Sequence, residues 1–201
     1  MAYNQFTAVQ LRTQFGLQVV EQAGLFADAP PVEISQRLRD NLAADTRLAL
    51  RSGSEKARSE FIIAPIMSEV YRQTEERANL FSGVEFDVDT ERGLAGFCDF
   101  LFSLSPLTIE IEAPVVSVVE AKKESILKGI PQCIAELVAA QIFNAAAGRP
   151  VSTLYGAVTT GEIWQFLRLQ GTIATIDQTE YHFSNVGQIV GVFVWMLRNA
   201  E

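Results

Sequence analysis

Pro114 opens the run Val115-Val116-Ser117-Val118-Val119, which passes without a break into Glu120-Ala121-Lys122. A continuous β-branched run makes a strand buried on both faces, and such a strand lies inside its sheet rather than at an edge. Strand periodicity puts Glu120 and Lys122 on one face and Ala121 on the other. Two opposite charges therefore stand at the end of a strand whose body must be dry. That requirement dominates the reading of the chain.

A second charge breaks the same rule. Residues 94–104 form an apolar strand rich in Phe97, Phe100, Leu101 and Phe102, and Asp99 stands in its middle. A lone ionised carboxylate buried in a strand costs several kcal/mol unless it is paired or binds a cation. Asp99, Glu120 and Lys122 are therefore expected to meet at the ends of neighbouring strands. Two converging carboxylates repel, and hard oxygen ligands suit Mg²⁺ or Mn²⁺. A metal-free Asp–Lys–Glu network answers the same spacing equally well.

The rest of the chain supplies a frame for these strands. After Ala29-Pro30-Pro31, the spacing of Ile34, Leu38, Leu42 and Leu48 predicts a helix over about 35–50. Ser52 and Glu55 have capping-box spacing, and the helix they would open carries Phe61, Ile62, Ile66 and Val70, with Pro65 expected to kink it. Strands are expected at about 83–88 and 94–104. Pro131 suits the first position of an alanine-rich helix stopped by Gly148 and Pro150. Strands at about 151–159, 162–169 and 172–177 precede a final helix near 185–199. The order α-β-β-β-α-β-β-β-α predicts an α/β (α+β) chain, a central mixed β-sheet flanked by helices. At 201 residues it reads as one domain, residues 1–53 forming a helical extension packed on a core of 54–201.

Charge and cysteine content limit the function. The chain carries a formal charge of −8, with residues 81–113 at −6 and residues 114–150 alone positive, at +1. This excludes a surface coated in basic charge for generic nucleic-acid or membrane binding, but not a local basic groove. Glu85, Asp87 and Asp89 alternate with Val84, Phe86 and Val88, as a solvated strand face does. Two cysteines, Cys98 and Cys133, make no disulfide framework, and no basic start followed by an apolar run marks a secretory signal. The apolar stretch around 189–197 is too short to span a bilayer. A reduced, cytoplasmic chain is expected.

Asp99 followed by Glu120-Ala121-Lys122 resembles the D…(D/E)xK signature of the PD-(D/E)xK nucleases, the restriction-endonuclease-like fold. The order αβββαβ over about 54–160 is similar to that family's core. Ser59-Glu60-Phe61-Ile62-Ile63-Ala64-Pro65 is similar to the helix that opens the nuclease domain of type I restriction subunits. Gln132, with Glu136 one turn later, resembles the Gln motif of several branches. Cys98 stands where the family has proline.

The resemblance implies a Mg²⁺- or Mn²⁺-dependent endonuclease or phosphodiesterase acting on DNA by in-line hydrolysis. It implies that Asp99, Glu120 and the Ala121 carbonyl hold the metal. Lys122 would orient or deprotonate the attacking water and neutralise phosphate charge. Glu60 would position a second water or metal, and Gln132 would fix Lys122 or the substrate. Lys123, Lys128 and Arg149 are candidate phosphate contacts, or simply a solvated helix entry. A homodimer or a basic partner protein would reconcile the acidic surface with DNA. The alternative is a catalytically inactive interaction or assembly module with the same fold. Trp164 suits a core contact better than base stacking, His182 a structural or exposed position, and Cys98 a buried thiol.

Overall fold

Eight strands form one mixed sheet with helices on both faces in the computed structural model, which describes residues 2–74, 77–106 and 108–200. In chain order the elements are α1 (Ala8–Phe15), β1 (Gln18–Gln22), α2 (Gln36–Ser52), α3 (Glu55–Arg58), a π-helical turn (Ser59–Ile63) and α4 (Ala64–Gln73). They continue as β2 (Asn79–Glu85), β3 (Phe97–Ser103), β4 (Val115–Ala121), α5 (Ile126–Ala146), β5 (Leu154–Thr159), β6 (Ile163–Gln170), β7 (Ile173–Asp177), β8 (Tyr181–His182) and α6 (Val186–Arg198). The sheet runs β1-β7-β6-β5-β4-β3-β2, with β8 paired to β6. Among the described residues, only β4/β5 and β1/β7 are parallel, and α5 is the crossover between β4 and β5. Every residue of β4 is buried, as its β-branched run predicts.

Each sheet face has its own core. On one face α2, the π-turn, α4 and α6 pack Leu38, Ile62, Ile66 and Phe193 against Phe100, Phe102, Trp164 and Phe166. On the other, α1 and α5 pack Leu11, Ile134 and Leu137 against Leu101, Val118, Val158 and Leu167. Helix α5 has the length and apolarity of a membrane-crossing helix, but most of it is buried here between the sheet and the N-terminal segment.

Several local expectations change. Segment 1–53 is not only helical: β1 joins the sheet edge beside β7 in parallel register, Gln18 opposite Ile173. Its weak apolar alternation hides it, because an edge strand with one partner needs little burial. Ser52 ends α2 and Gly53 (φ 64°) caps it, so Ser54, not Ser52, is the N-cap of α3, accepting from Ala57 N at 3.0 Å. At Pro65 the regular helix is interrupted by the π-turn Ser59–Ile63 that precedes it. Ala64 N reaches back to Ser59 O, and this wide turn lets Pro65 enter the first turn of α4, where a missing N–H costs little. Pro131 lies inside α5, whose N-cap is Ser125. The carbonyl it leaves without a helical donor belongs to Leu127, an exposed residue.

Candidate functional site

The expected charges converge where β3 begins and β4 ends, beneath the start of α5. Leu101 pairs with Val118 and Phe100 with Val119 in antiparallel register, which brings Asp99 alongside Glu120. Beyond the ladder, Asp99 Oδ2 accepts from Ala121 N at 2.8 Å, so the carboxylate also closes the end of the β3–β4 pairing. Lys122 N donates to Thr159 O at 2.7 Å, extending the β4–β5 pairing by one bond. Lys122 Nζ bonds Glu120 Oε1 and donates to Gln132 Oε1 at 3.0 Å. Gln132 Nε2 in turn donates to Glu136 Oε1 at 3.1 Å, one turn further along α5. The chain Glu120–Lys122–Gln132–Glu136 therefore ties β4 to α5.

The local sequence explains why α5 can sit this close. Gly129 faces β5 and the Lys122 stem: a Cβ there would stand 2.5 Å from Val158 Cγ1 and 3.1 Å from Lys122 Cγ. Only a residue without a side chain lets the aliphatic stem of Lys122 pass beneath the helix.

Burial sets the protonation of the cluster. Desolvation raises the carboxyl of Asp99, opposed by the Ala121 N–H and the Lys122 charge. It pushes Glu120 up to about 7, with the charge of Asp99 adding and Lys122 opposing. Glu136, fully enclosed, is raised well above the ordinary carboxyl range by burial and then by Glu120. For Lys122, burial pulls downward, but the charge and hydrogen bond of Glu120, with Glu55 and Asp99, outweigh it and raise the ammonium. Glu120 Oε2 and Glu136 Oε2 are buried without a hydrogen-bond partner. A proton held by Glu136 and offered to Glu120 satisfies both oxygens, since two buried carboxylates at one spot cannot both ionise cheaply.

The structure brings together Asp99, Glu120, Ala121, Lys122 and Gln132, and leaves the other expected residues elsewhere. Glu60 is solvent-exposed and pairs with Lys56 at 3.4 Å. The acidic residue of that helix that acts on the cluster is Glu55, whose Oε2 accepts from Lys123 N at 3.0 Å and whose charge reaches Asp99 and Lys122. The Lys123 side chain turns to Glu124 at 3.3 Å, and Lys128 is exposed near the start of α5. Arg149 lies at the far end of α5, about 30 Å of helix away. It donates to Ala113 O at 2.6 Å, before β4 begins, and so stands at the wrong end of that strand for the cluster. Trp164 is wholly buried against Phe193, which removes it from any base-stacking role. His182 is exposed on β8. Cys98 and Cys133 are free and buried, their thiols pushed up by desolvation and then by neighbouring carboxylates, the reverse of what a nucleophile needs.

Sequence reasoning passed over Glu55 as a capping residue and left Glu136 without a role in the site. The signal for Glu136 was present: it is the only charge in the apolar run Cys133–Phe143, the same anomaly that exposed Asp99.

The donor set suits a hard cation in kind. It offers two carboxylates and a peptide carbonyl, and Lys122 engages only Oε1 of Glu120, so that a cation could displace the proton shared at Oε2. Among the described residues, no three His, Cys, Asp or Glu side chains are spaced as a ready ligand group. Compared with known proteins, the chain matches no family model and no curated protein sequence.

Proposed function

We propose that the chain is a metal-dependent phosphodiesterase of the PD-(D/E)xK type, with the restriction-endonuclease-like core formed by α3–α4, β2, β3, β4, α5 and β5, acting on DNA. The observation that carries this reading is the joining of Asp99, Glu120 and Lys122 at one strand end. Asp99, Glu120 and the Ala121 carbonyl would hold Mg²⁺ or Mn²⁺. Such a cation supplies a water of lowered pKa and polarises a phosphoryl oxygen.

The chain's own residues do the rest. Lys122 keeps its proton between Glu120 and Gln132 and presents a positive charge to a phosphate oxygen. Gln132 fixes the ammonium from α5, and Glu136 holds the Gln132 amide in the orientation that makes its oxygen the acceptor. Glu55 adds negative charge beside Asp99 and Lys122.

One observation favours the second reading, an inactive interaction module. Lys122 already engages Glu120 Oε1, so the pair is satisfied without a cation. Calorimetric titration of Mn²⁺ into the wild type and Asp99→Ala separates the two. Saturable binding that Asp99→Ala abolishes supports the enzyme, and a cleavage screen with Lys122→Ala as control then identifies the substrate. Absence of binding, repeated with DNA present, supports the module.

A further inference from the structure

Beside the cluster lies a second feature that the phosphodiesterase reading does not use. Phe97 is 66% exposed at the start of β3. It sits two residues before Asp99 and so leans to the same side of the strand. It forms one wall of a pocket of about 260 Å³ closed by Ala2, Tyr3, Asn4, Gly96 and Gln132. Gln132 is the residue that binds Lys122 Nζ, so one side chain separates the pocket from the proposed phosphate-facing ammonium.

The pocket is built rather than incidental. Tyr3 N donates to Ala95 O at 3.2 Å and Tyr3 Oη to Phe86 O at 2.5 Å, which clamps the N-terminal segment onto the β2–β3 connection. Gly96 adopts φ +138°, and a Cβ there would press on the Tyr3 ring at 3.3 Å. The wall opposite Phe97 is thus fixed by two hydrogen bonds and a glycine-only backbone. A large exposed aromatic on a rigid wall presents a flat apolar face at low entropic cost.

We propose that this pocket binds an unstacked nucleobase against Phe97, which makes the substrate a single-stranded or locally opened nucleic acid rather than intact duplex. The proposal rests on the phosphodiesterase reading and names its substrate class. A base inside a duplex has both faces covered by its neighbours, whereas a single strand offers them freely. Charge points the same way. Glu85 pairs with Phe97 and Asp87 accepts from Gly96 N, and with Asp99, Glu120 and Glu55 they outnumber Lys122, Lys123 and Lys128. Phosphate contacts therefore supply little affinity, and stacking must supply more of it. Asn4 adds an amide at the rim for a base edge.

The test compares a fluorescein-labelled single-stranded oligothymidylate with a duplex of equal length. Anisotropy titrations in chelator measure binding, and Mn²⁺-dependent cleavage gives KM and kcat. Phe97→Ala should weaken single-strand binding and raise its KM about tenfold or more while changing kcat little, as expected for loss of one base–aromatic stack. Phe97→Trp should restore affinity, and its added fluorescence should be quenched by the strand. Log affinity should fall only shallowly with log salt, as one or two phosphate contacts dictate. Unchanged binding in Phe97→Ala, tighter binding of duplex, or no binding of either strand form would overturn the subsite. Loss of Mn²⁺-dependent cleavage alone, with Phe97-dependent single-strand binding intact, would instead overturn the phosphodiesterase reading and leave the subsite standing.

Discussion

Replacing Glu136 by Gln puts an amide N–H where a shared proton serves Glu120. Burial displaces Glu120 from 4.5 to about 7, and burial and then the charge of Glu120 raise Glu136 well above its ordinary range. Over that interval the folded protein holds a proton that the unfolded chain releases, so stability is full below about pH 4.5 and is lost as pH rises through about 7. At about 1.4 kcal/mol per pH unit, the loss is about 3 kcal/mol. Asp99 and Glu136, both raised, act with the same sign. Glu69 has the opposite sign. Burial would raise it, but its bonds to Arg72, Ser35 and Gln73 lower it to about 2, so its contribution is lost only in acid, below this window.

The variant keeps a donor facing Glu120 at every pH. It no longer bears the cost of releasing a proton from the enclosed Glu136, so it should be more stable than wild type near pH 8, by a margin that narrows as pH falls. Near pH 4.5 the two proteins should agree within about 0.5 kcal/mol. Urea unfolding of both proteins in chelator, at intervals from about pH 4.5 to about pH 8, measures this directly. A wild-type stability that is flat or rising across the interval, or a variant less stable near pH 8, would refute the shared proton and the burial argument behind it.

Three further outcomes follow from the packing. Gly129→Ala forces a methyl to 2.5 Å from Val158 Cγ1 and 3.1 Å from Lys122 Cγ. It should cost about 1–3 kcal/mol in urea unfolding and, by displacing Lys122, lower any Mn²⁺-dependent cleavage of the fraction that stays folded. Glu60→Gln should leave Mn²⁺ affinity unchanged by calorimetry, whereas Glu55→Gln should weaken it several-fold, because only Glu55 reaches the cluster. Trp164→Ala should destabilise the fold by about 3–5 kcal/mol in the same unfolding assay, as loss of a wholly buried aromatic does, and its effect on oligonucleotide binding should not exceed the loss of folded protein.

Much of the frame was legible because the signals were local and strong. The Val115–Val119 run identified a strand buried on both faces, and β4 is that strand. Hydrophobic spacing gave α2 and α6 nearly to their ends, and Gly148 with Pro150 marked where α5 stops. Asp99, Glu120 and Lys122 were readable as a unit for an energetic reason: a charge in an apolar strand demands a partner, whatever the surrounding fold. The same reasoning applied to Glu136, in the apolar middle of α5, but helix packing had to show which face it met.

What the tertiary structure alone decided are choices between residues that look alike in one dimension. Glu55 and Glu60 lie on one continuous helical segment but about 140° apart around its axis, so Glu55 reaches the cluster while Glu60 pairs with Lys56. Arg149 is near α5 in sequence but at its far end in space, because 21 helical residues separate the two ends of a crossover. Strand β1 owes its place to one parallel partner rather than to its own pattern. Periodicity and the cost of a buried charge are properties of a short stretch of chain, and they survive without the fold. Which charge meets which depends on helix phase, strand register and the close approach that Gly129 permits, and these exist only once the sheet and its helices have packed together.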